Sequence, residues 1–285
     1  MPESNPDLIK IMVDGTIPAW LTGVWQRLSF ETEDGFRDTT TQVIYLQTPS
    51  CYGDLRIPGD RPNVRDKTSV HDLTSAEMLA LSEQQGFAGI SVVRENVCRW
   101  YRYIDYQPPT GLRDIGALHW EGEILIEEGI DAPYREEWQR IDDGNGDFTA
   151  LILPSPTSVL DGDGGRWEAS IVTAGDWFVY ARNRETMLTS ANSLTTLVAK
   201  ETDNAQQQGL LNCEIAVGRC ASGQVPWEIQ HSTLPWREGQ GLWEGSSLAI
   251  ALADGYLFQT LDTPELTMHQ WVIREWGTGK AFGME

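Results

Sequence analysis

The sequence predicts a mostly β protein folded as two similar antiparallel barrels in tandem, residues 1–145 and 146–285. Three observations lead there. Short runs alternate apolar and polar residues with period two, the pattern of a half-buried strand. A set of landmarks recurs in the same order in each half. The chain has 285 residues, 40% hydrophobic with twelve tryptophans, enough to fill two cores.

In the first half the strand-like runs are Val24–Phe30, Gln42–Thr48, Tyr52–Ile57, Ala88–Val93, Cys98–Asp105 and Ile124–Glu128. In the second they are Trp167–Thr173, Trp177–Arg182 and Leu248–Ala253. Their aromatic and β-branched residues suit a pleated surface, and the Gly, Pro, Asp and Asn between them make turns. Each half also predicts one helix. Over Thr74–Gln85, Thr74 and Glu77 form a capping box, Met78, Leu79 and Leu81 give an apolar side, and Gly86 is the stop. Over Ser190–Gln208, the apolar face is Leu194, Leu197 and Val198, with Gly209 at the end.

The repeat runs through these helices. Gln84-Gln85-Gly86 matches Gln207-Gln208-Gly209, and the same offset maps Trp120-Glu121-Gly122 onto Trp243-Glu244-Gly245. Upstream, Gly23-Val24-Trp25 matches Gly165-Arg166-Trp167, each preceded by an apolar piece, Leu8–Val13 and Leu151–Leu153. Near the ends, Trp138-Gln139-Arg140 matches the run from Trp271 to Arg274. Four landmarks in one order predict an internal duplication, joined at the polar, turn-prone Asp142–Asp147.

Charge and motifs exclude several functions. A net charge of −21 repels nucleic acid and anionic membrane surfaces. The N-terminus lacks a basic segment leading into an apolar run, and no stretch approaches the ~18 apolar residues of a membrane span. Cys51, Cys98, Cys213 and Cys220 are scattered without a CxxC pair, which reads as reduced thiols in the cytoplasm. His71, His119, His231 and His269 have no metal-ligand spacing, so no metal or other cofactor is expected. Asp143–Asp147 lacks the remaining features of a calcium loop, and Gly277-Thr278-Gly279-Lys280 those of a phosphate loop. No Gly-x-Ser-x-Gly is present. Glu127-Glu128 and Glu136-Glu137 read as solvated faces of an acidic chain.

Gly-x-Trp opening a first strand, with an Arg on the closing strand, resembles the lipocalin-like, or calycin, barrel. The resemblance implies that Trp25 with Arg140, and Trp167 with Arg274, stopper the closed ends of two barrels. An indole fills a narrow end and a guanidinium stacks across it. The stretch Trp25-Gln26-Arg27, Val43–Pro49 and Asp54–Pro58 is similar to the fungal Hrr-kinase-interacting protein family and its bacterial relatives, built as two such barrels. That family offers no catalytic activity to carry over. Double calycin barrels also include cyclases of natural-product pathways, so a cyclase or isomerase is the rival reading.

Alternation places Trp25 and Arg27 on one face, Tyr45 and Gln47 on one, Asp54 and Arg56 on one, and Trp100 and Arg102 on one. With Trp120, these give a first-barrel interior of three arginines against one aspartate. Buried arginines need partners. Two readings follow: a pocket for a small anionic or amphipathic molecule held by Arg27, Arg56 and Arg102, or a self-contained network that locks the barrel. In the second half, Trp227, Trp236 and Trp243 lie among prolines and glycines and suggest an exposed aromatic rim for a protein partner. The leading expectation is a non-catalytic ligand-binding or protein-interaction protein; a scaffold without a pocket is the third reading.

Overall fold

The computed structural model describes residues 17–155, 166–221, 225–243, 249–253, 255–261, 267–279 and 282. Leu8–Val13, Gly165, Glu244, Gly245, Leu248 and Lys280 lie outside the described residues.

The first half is a closed barrel. Strands β1 (Gly23–Thr32), β3 (Gln42–Gln47), β4 (Cys51–Ile57), β5 (Gln85–Arg94), β6 (Val97–Asp105), β7 (Asp114–Glu121), β8 (Ile124–Gly129) and β9 (Tyr134–Asp142) pair in that order, and β9 returns to β1. All pairings are antiparallel. The short β2 (Arg37–Asp38) adds to the outer end of β1 through Phe30 and Glu31. Eight strands leave an interior about as wide as the side chains that fill it.

The second half corrects the expectation of a second barrel. Strands β10 (Phe148–Pro154), β11 (Trp167–Ala174), β12 (Trp177–Arg182), β13 (Glu214–Arg219), β14 (Glu228–Ser232), β15 (Ala249–Ala253), β16 (Tyr256–Leu261) and β17 (Thr267–Glu275) form one open antiparallel sheet. Its order is β14-β13-β12-β11-β10-β17-β16-β15. This is the cyclic order of the first sheet with one seam: among the described residues β14 and β15 do not pair. The inner edge of β14 is met instead by the following loop, where Ile229 N donates to Gln240 O and Leu242 N to Trp227 O.

The helices differ from expectation in two ways. The first, α1 (Ser75–Leu81), has the predicted capping box between Thr74 and Glu77. It stops four residues early, because Gln85 is already in β5. The Leu81 carbonyl left open is taken by Gln84 Nε2 and the Tyr106 hydroxyl. The second is two helices, α2 (Leu194–Lys200) and α3 (Asn204–Leu211). The Asp203 side chain caps α3 by accepting from Gln206 N, and the Glu201 carboxylate accepts from the amides of Thr202 and Asp203. A side chain that satisfies new N-terminal amides starts a new helix there. Gly209 therefore lies within α3 rather than after it.

The landmarks split as well. Trp138 and Trp271 occupy the last strand of each sheet, both buried. Trp25 lies on the first strand of its sheet, but Trp167 lies on the second of its own. The counterpart of Trp25 in the ring order is on β10, where Leu151 pairs with Ile171 and Ile273.

The two sheets share their largest apolar cluster. The outward residues of the barrel, including Leu46, Leu55, Ala88, Ile90 and Ile104, pack with Ile152, Val172, Val179, Ile215 and Val217, beneath Met78, Leu194 and Val198 of the helices. The face contact is tight: a Cβ on Gly53 of β4 would come within 2.5 Å of Val179 Cγ1. Polar ties ring this face. Arg184 donates to the carbonyls of Asp105 and Tyr106. Arg61 reaches Ser232 O and Glu238. Trp167 stacks on Tyr103, centroids 4.6 Å apart.

Candidate functional site

The barrel has two ends of different chemistry. At one, Trp25 fills the bore, its Nε1 donating to Leu21 O at 2.8 Å, and the Arg140 guanidinium lies over its ring at 5.2 Å. Trp120 does not reach the interior. It is 42% exposed, outside this end, packed edge-on to Trp20 and 6.0 Å from Trp25. The corresponding pairing in the second half is corrected. Arg274 sits at the bulge beside Ala150 and Leu151, whereas Trp167 pairs with Pro154 at the other end of β10 and stacks across the sheet interface.

The middle of the bore is filled by Tyr45, Tyr52, Phe87, Trp100 and Trp138. The Trp100 indole donates to the Tyr45 hydroxyl at 3.1 Å, and Tyr45 in turn donates to Gln47 Oε1. Ser91 adds a second donor there, while Gln47 Nε2 reaches Thr48 O and Cys51 O. Gln47 thus has its polar atoms satisfied and is fully enclosed. The space left among these side chains is about 30 Å³. By the measure of ~10–15 Å³ per water centre it accommodates about two waters, far from the ~300 Å³ of a small-molecule pocket.

The other end is closed by charge. Arg27 donates to Glu136 at 2.7 Å and to Asp38 at 2.9 Å. Arg56 donates to the same Glu136 oxygen at 2.9 Å and to Asp54 at 2.9 Å. One carboxylate oxygen therefore holds two guanidiniums, on a side chain only 1% exposed. Arg102 stands apart, over the Phe87 ring at 3.6 Å, with its own two acids, Asp105 and Asp114. The expectation of three arginines facing one aspartate is corrected: each has two carboxylates in the protein.

Glu136, and Glu127 on the neighbouring strand, correct the expectation of solvated faces, since both are buried. Alternation from Trp138 puts Glu136 and Tyr134 on the inner face, and alternation from Leu125 does the same for Glu127. Glu127 and Glu136 face each other across β8 and β9. Burial first, and the Glu136 charge second, push the Glu127 carboxyl well above the usual carboxylate range. Tyr134 donates to its Oε1 at 2.6 Å. Burial raises the Asp54 carboxyl too, with Arg56 pulling it back. Asp38 is the opposite case. Burial raises it, but hydrogen bonds from Thr40 and Thr41 outweigh this and hold it far below the usual range.

Glu127 makes stability depend on pH with a definite sign. Its native pKa lies above the ordinary 4.5, so its contribution is full below that value and is lost as pH rises towards the native one. Glu127→Gln retains an acceptor for Tyr134 without the charge. The variant is expected to match the parent near pH 4 and to be more stable at pH 7, by urea unfolding across that range. A stability difference independent of pH would remove Glu127 as the titrating group.

Outside the charged layer the barrel opens into a bowl of about 370 Å³. Arg27 and Arg56 line its floor, Phe30, Asp38, Thr40 and Thr41 one wall, and Asp60, Glu83 and Gln85 the rim. Phe36 stands over it, 59% exposed. Of the residues singled out in sequence, only Arg27 and Arg56 meet this bowl. Tyr45, Asp54, Arg56 and Trp100 border the small inner space, whereas Gln47, Arg102 and Trp120 border neither.

The aromatic rim expected in the second half is also corrected. Trp227 is 5% exposed and packs with Phe178, Trp243 and Phe282 beneath the 225–243 loop. All four cysteines are buried and free. Among the described residues no group of acids, histidines and cysteines is arranged to hold a metal, and no helix is long and apolar enough to cross a membrane.

Comparison with known proteins found no matching family model, no matching curated protein and no matching solved structure.

Proposed function

We propose that the chain is a non-catalytic binding protein whose small-molecule site is the bowl at the mouth of the first barrel. The observation that carries this reading is the contrast between the two spaces. The bore is packed with side chains, and the bowl beyond the Arg27–Glu136–Arg56 layer has the volume of a ligand site. Aromatic walls with a few placed polar groups are the usual make-up of such a site. The lipocalin-like ancestry belongs to this proposal, supported by the closed eight-stranded meander and by Arg140 over Trp25. So does the duplication, supported by the shared strand order and by helices between the third and fourth strands of each order, β4 and β5 in the first and β12 and β13 in the second. A cytoplasmic setting is supported by the four free thiols.

A filled bore also favours the scaffold reading, in which the charged layer simply locks the barrel. A cyclase receives less support, since it needs a cavity that folds around its substrate. Native mass spectrometry of the full chain purified from its own host separates these readings. A retained small molecule, released by Arg56→Ala, is the result expected. A bare polypeptide mass, together with a bowl whose amide signals ignore every added probe, would leave the scaffold.

A further inference from the structure

We propose that the bowl takes a small organic cation, an amine carrying a neutral acceptor such as an amide carbonyl close to its ammonium group. This rests on the binding reading above and names its ligand class.

The floor arginines argue against an anion. Their two positive charges already meet three negative ones, from Asp38, Asp54 and Glu136, at 2.7–2.9 Å. An incoming carboxylate would compete with them and would face the rim carboxylates of Asp60 and Glu83. Asp38 is not free to receive a cation. Its Oδ1 accepts from Thr40 N, Thr40 Oγ1 and Thr41 N, and its Oδ2 from Arg27. Asp60 and Glu83 are different. Both are exposed, and among the described residues neither has an ion pair or side-chain hydrogen bond. They are exposed acceptors in the lining of the bowl, and Phe36, 59% exposed, lines the same bowl with an aromatic ring of the kind that attracts a cation.

A second feature fixes the other end of the ligand. Arg27 lines the bowl with its side chain 6% exposed, and both its bonds to protein are made by Nη1 and Nη2. Among the described residues its Nε–H makes no hydrogen bond, and it is not one of the donors sealed from solvent. An uncharged oxygen can take that donor without adding charge to a layer whose acids already outnumber its arginines. Gln85, exposed on the rim, supplies a further neutral amide. Donor at depth and acids at the rim thus call for an acceptor and an ammonium in one molecule.

The test uses the full chain and three capped amino acids of similar size. These are Nα-acetyl-lysine methylamide, its norleucine analogue without the ammonium, and Nα-acetyl-glutamate. Amide shifts of Thr40, Gly59 and Gln85 are followed at low salt. The lysine probe is expected to shift them and to bind roughly 3- to 10-fold more tightly than the norleucine probe. Asp60→Asn with Glu83→Gln should remove most of that advantage, as should 0.5 M salt; both substitutions are on the surface and leave the fold intact. Equal binding of the two neutral-backbone probes, or preference for the glutamate probe, overturns the cation assignment while the bowl remains a binding site. No shift with any probe overturns both, unless host-purified protein carries a molecule that Arg56→Ala releases, in which case only the cation assignment falls.

Discussion

Glu136→Ala is expected to destabilise the protein by about 3–5 kcal/mol, a large fraction of the ~5–15 kcal/mol that holds a typical domain folded. The carboxylate is nearly sealed from solvent, and one of its oxygens receives both Arg27 and Arg56. Its removal strands two guanidiniums at the barrel mouth. Arg27 keeps Asp38 and Arg56 keeps Asp54, but their mutual repulsion is then unscreened by the charge between them. A pair broken from one side costs far more than a pair replaced whole. Replacing the layer whole, Arg27→Met, Arg56→Met and Glu136→Leu together with Asp38→Asn and Asp54→Leu so that no carboxylate is left unpaired, is therefore expected to recover most of the loss. Urea midpoints of the parent, the single variant and the fivefold variant provide the measurement. A single variant within about 0.5 kcal/mol of the parent would show that the charged layer is solvated and does not close the barrel.

The second large effect is at the sheet interface. Gly53→Val should cost ~3 kcal/mol or more, at the upper end of what overpacking does. The glycine conformation itself is ordinary, so the loss comes from space alone. Its new Cβ would lie 2.5 and 2.8 Å from Val179 Cγ1 and Cβ, on a strand of the other half. Val179→Ala removes those methyl groups, so Gly53→Val with Val179→Ala should be more stable than the first variant alone. Thermal melting of the three proteins decides it. If the double variant is no better than Gly53→Val, the close approach of β4 and β12 is not the source.

Much of the fold was legible in the sequence, and the failures have specific causes. Alternation located the strands because each has one face in a core. It could not say which core. Trp167 and Trp25 look alike in sequence, yet one faces the neighbouring sheet and the other the bore. Local motif does not encode that choice; the strand's place in the ring does. The helix over 190–208 was read as one because Leu194, Leu197 and Val198 are properly spaced. The break at 201–203 comes from two acidic side chains that bond to amides nearby. Asp203 three residues before Gln206 was the available signal.

The site was half legible for a related reason. Arg27, Arg56 and Asp54 were found by counting in twos from Trp25 and along β4. The same count from Trp138 leads to Glu136, and from Leu125 to Glu127, but acidic pairs in an acidic chain look like surface. Composition suggested solvent where position on the strand dictated burial. Asp38 was out of reach, since it comes to Arg27 through a two-residue strand set by a turn.

The face shared by the two sheets has one more consequence. The turn at 144–146 separates them along the chain, but each leaves its oiliest side on the other. A chain divided there would yield two pieces with adhesive backs, prone to clump. Synthesis must then hand the first sheet a partner soon after it emerges, and any change of curvature in one sheet has to be answered in the other. Two shapes in this protein are inherited as one.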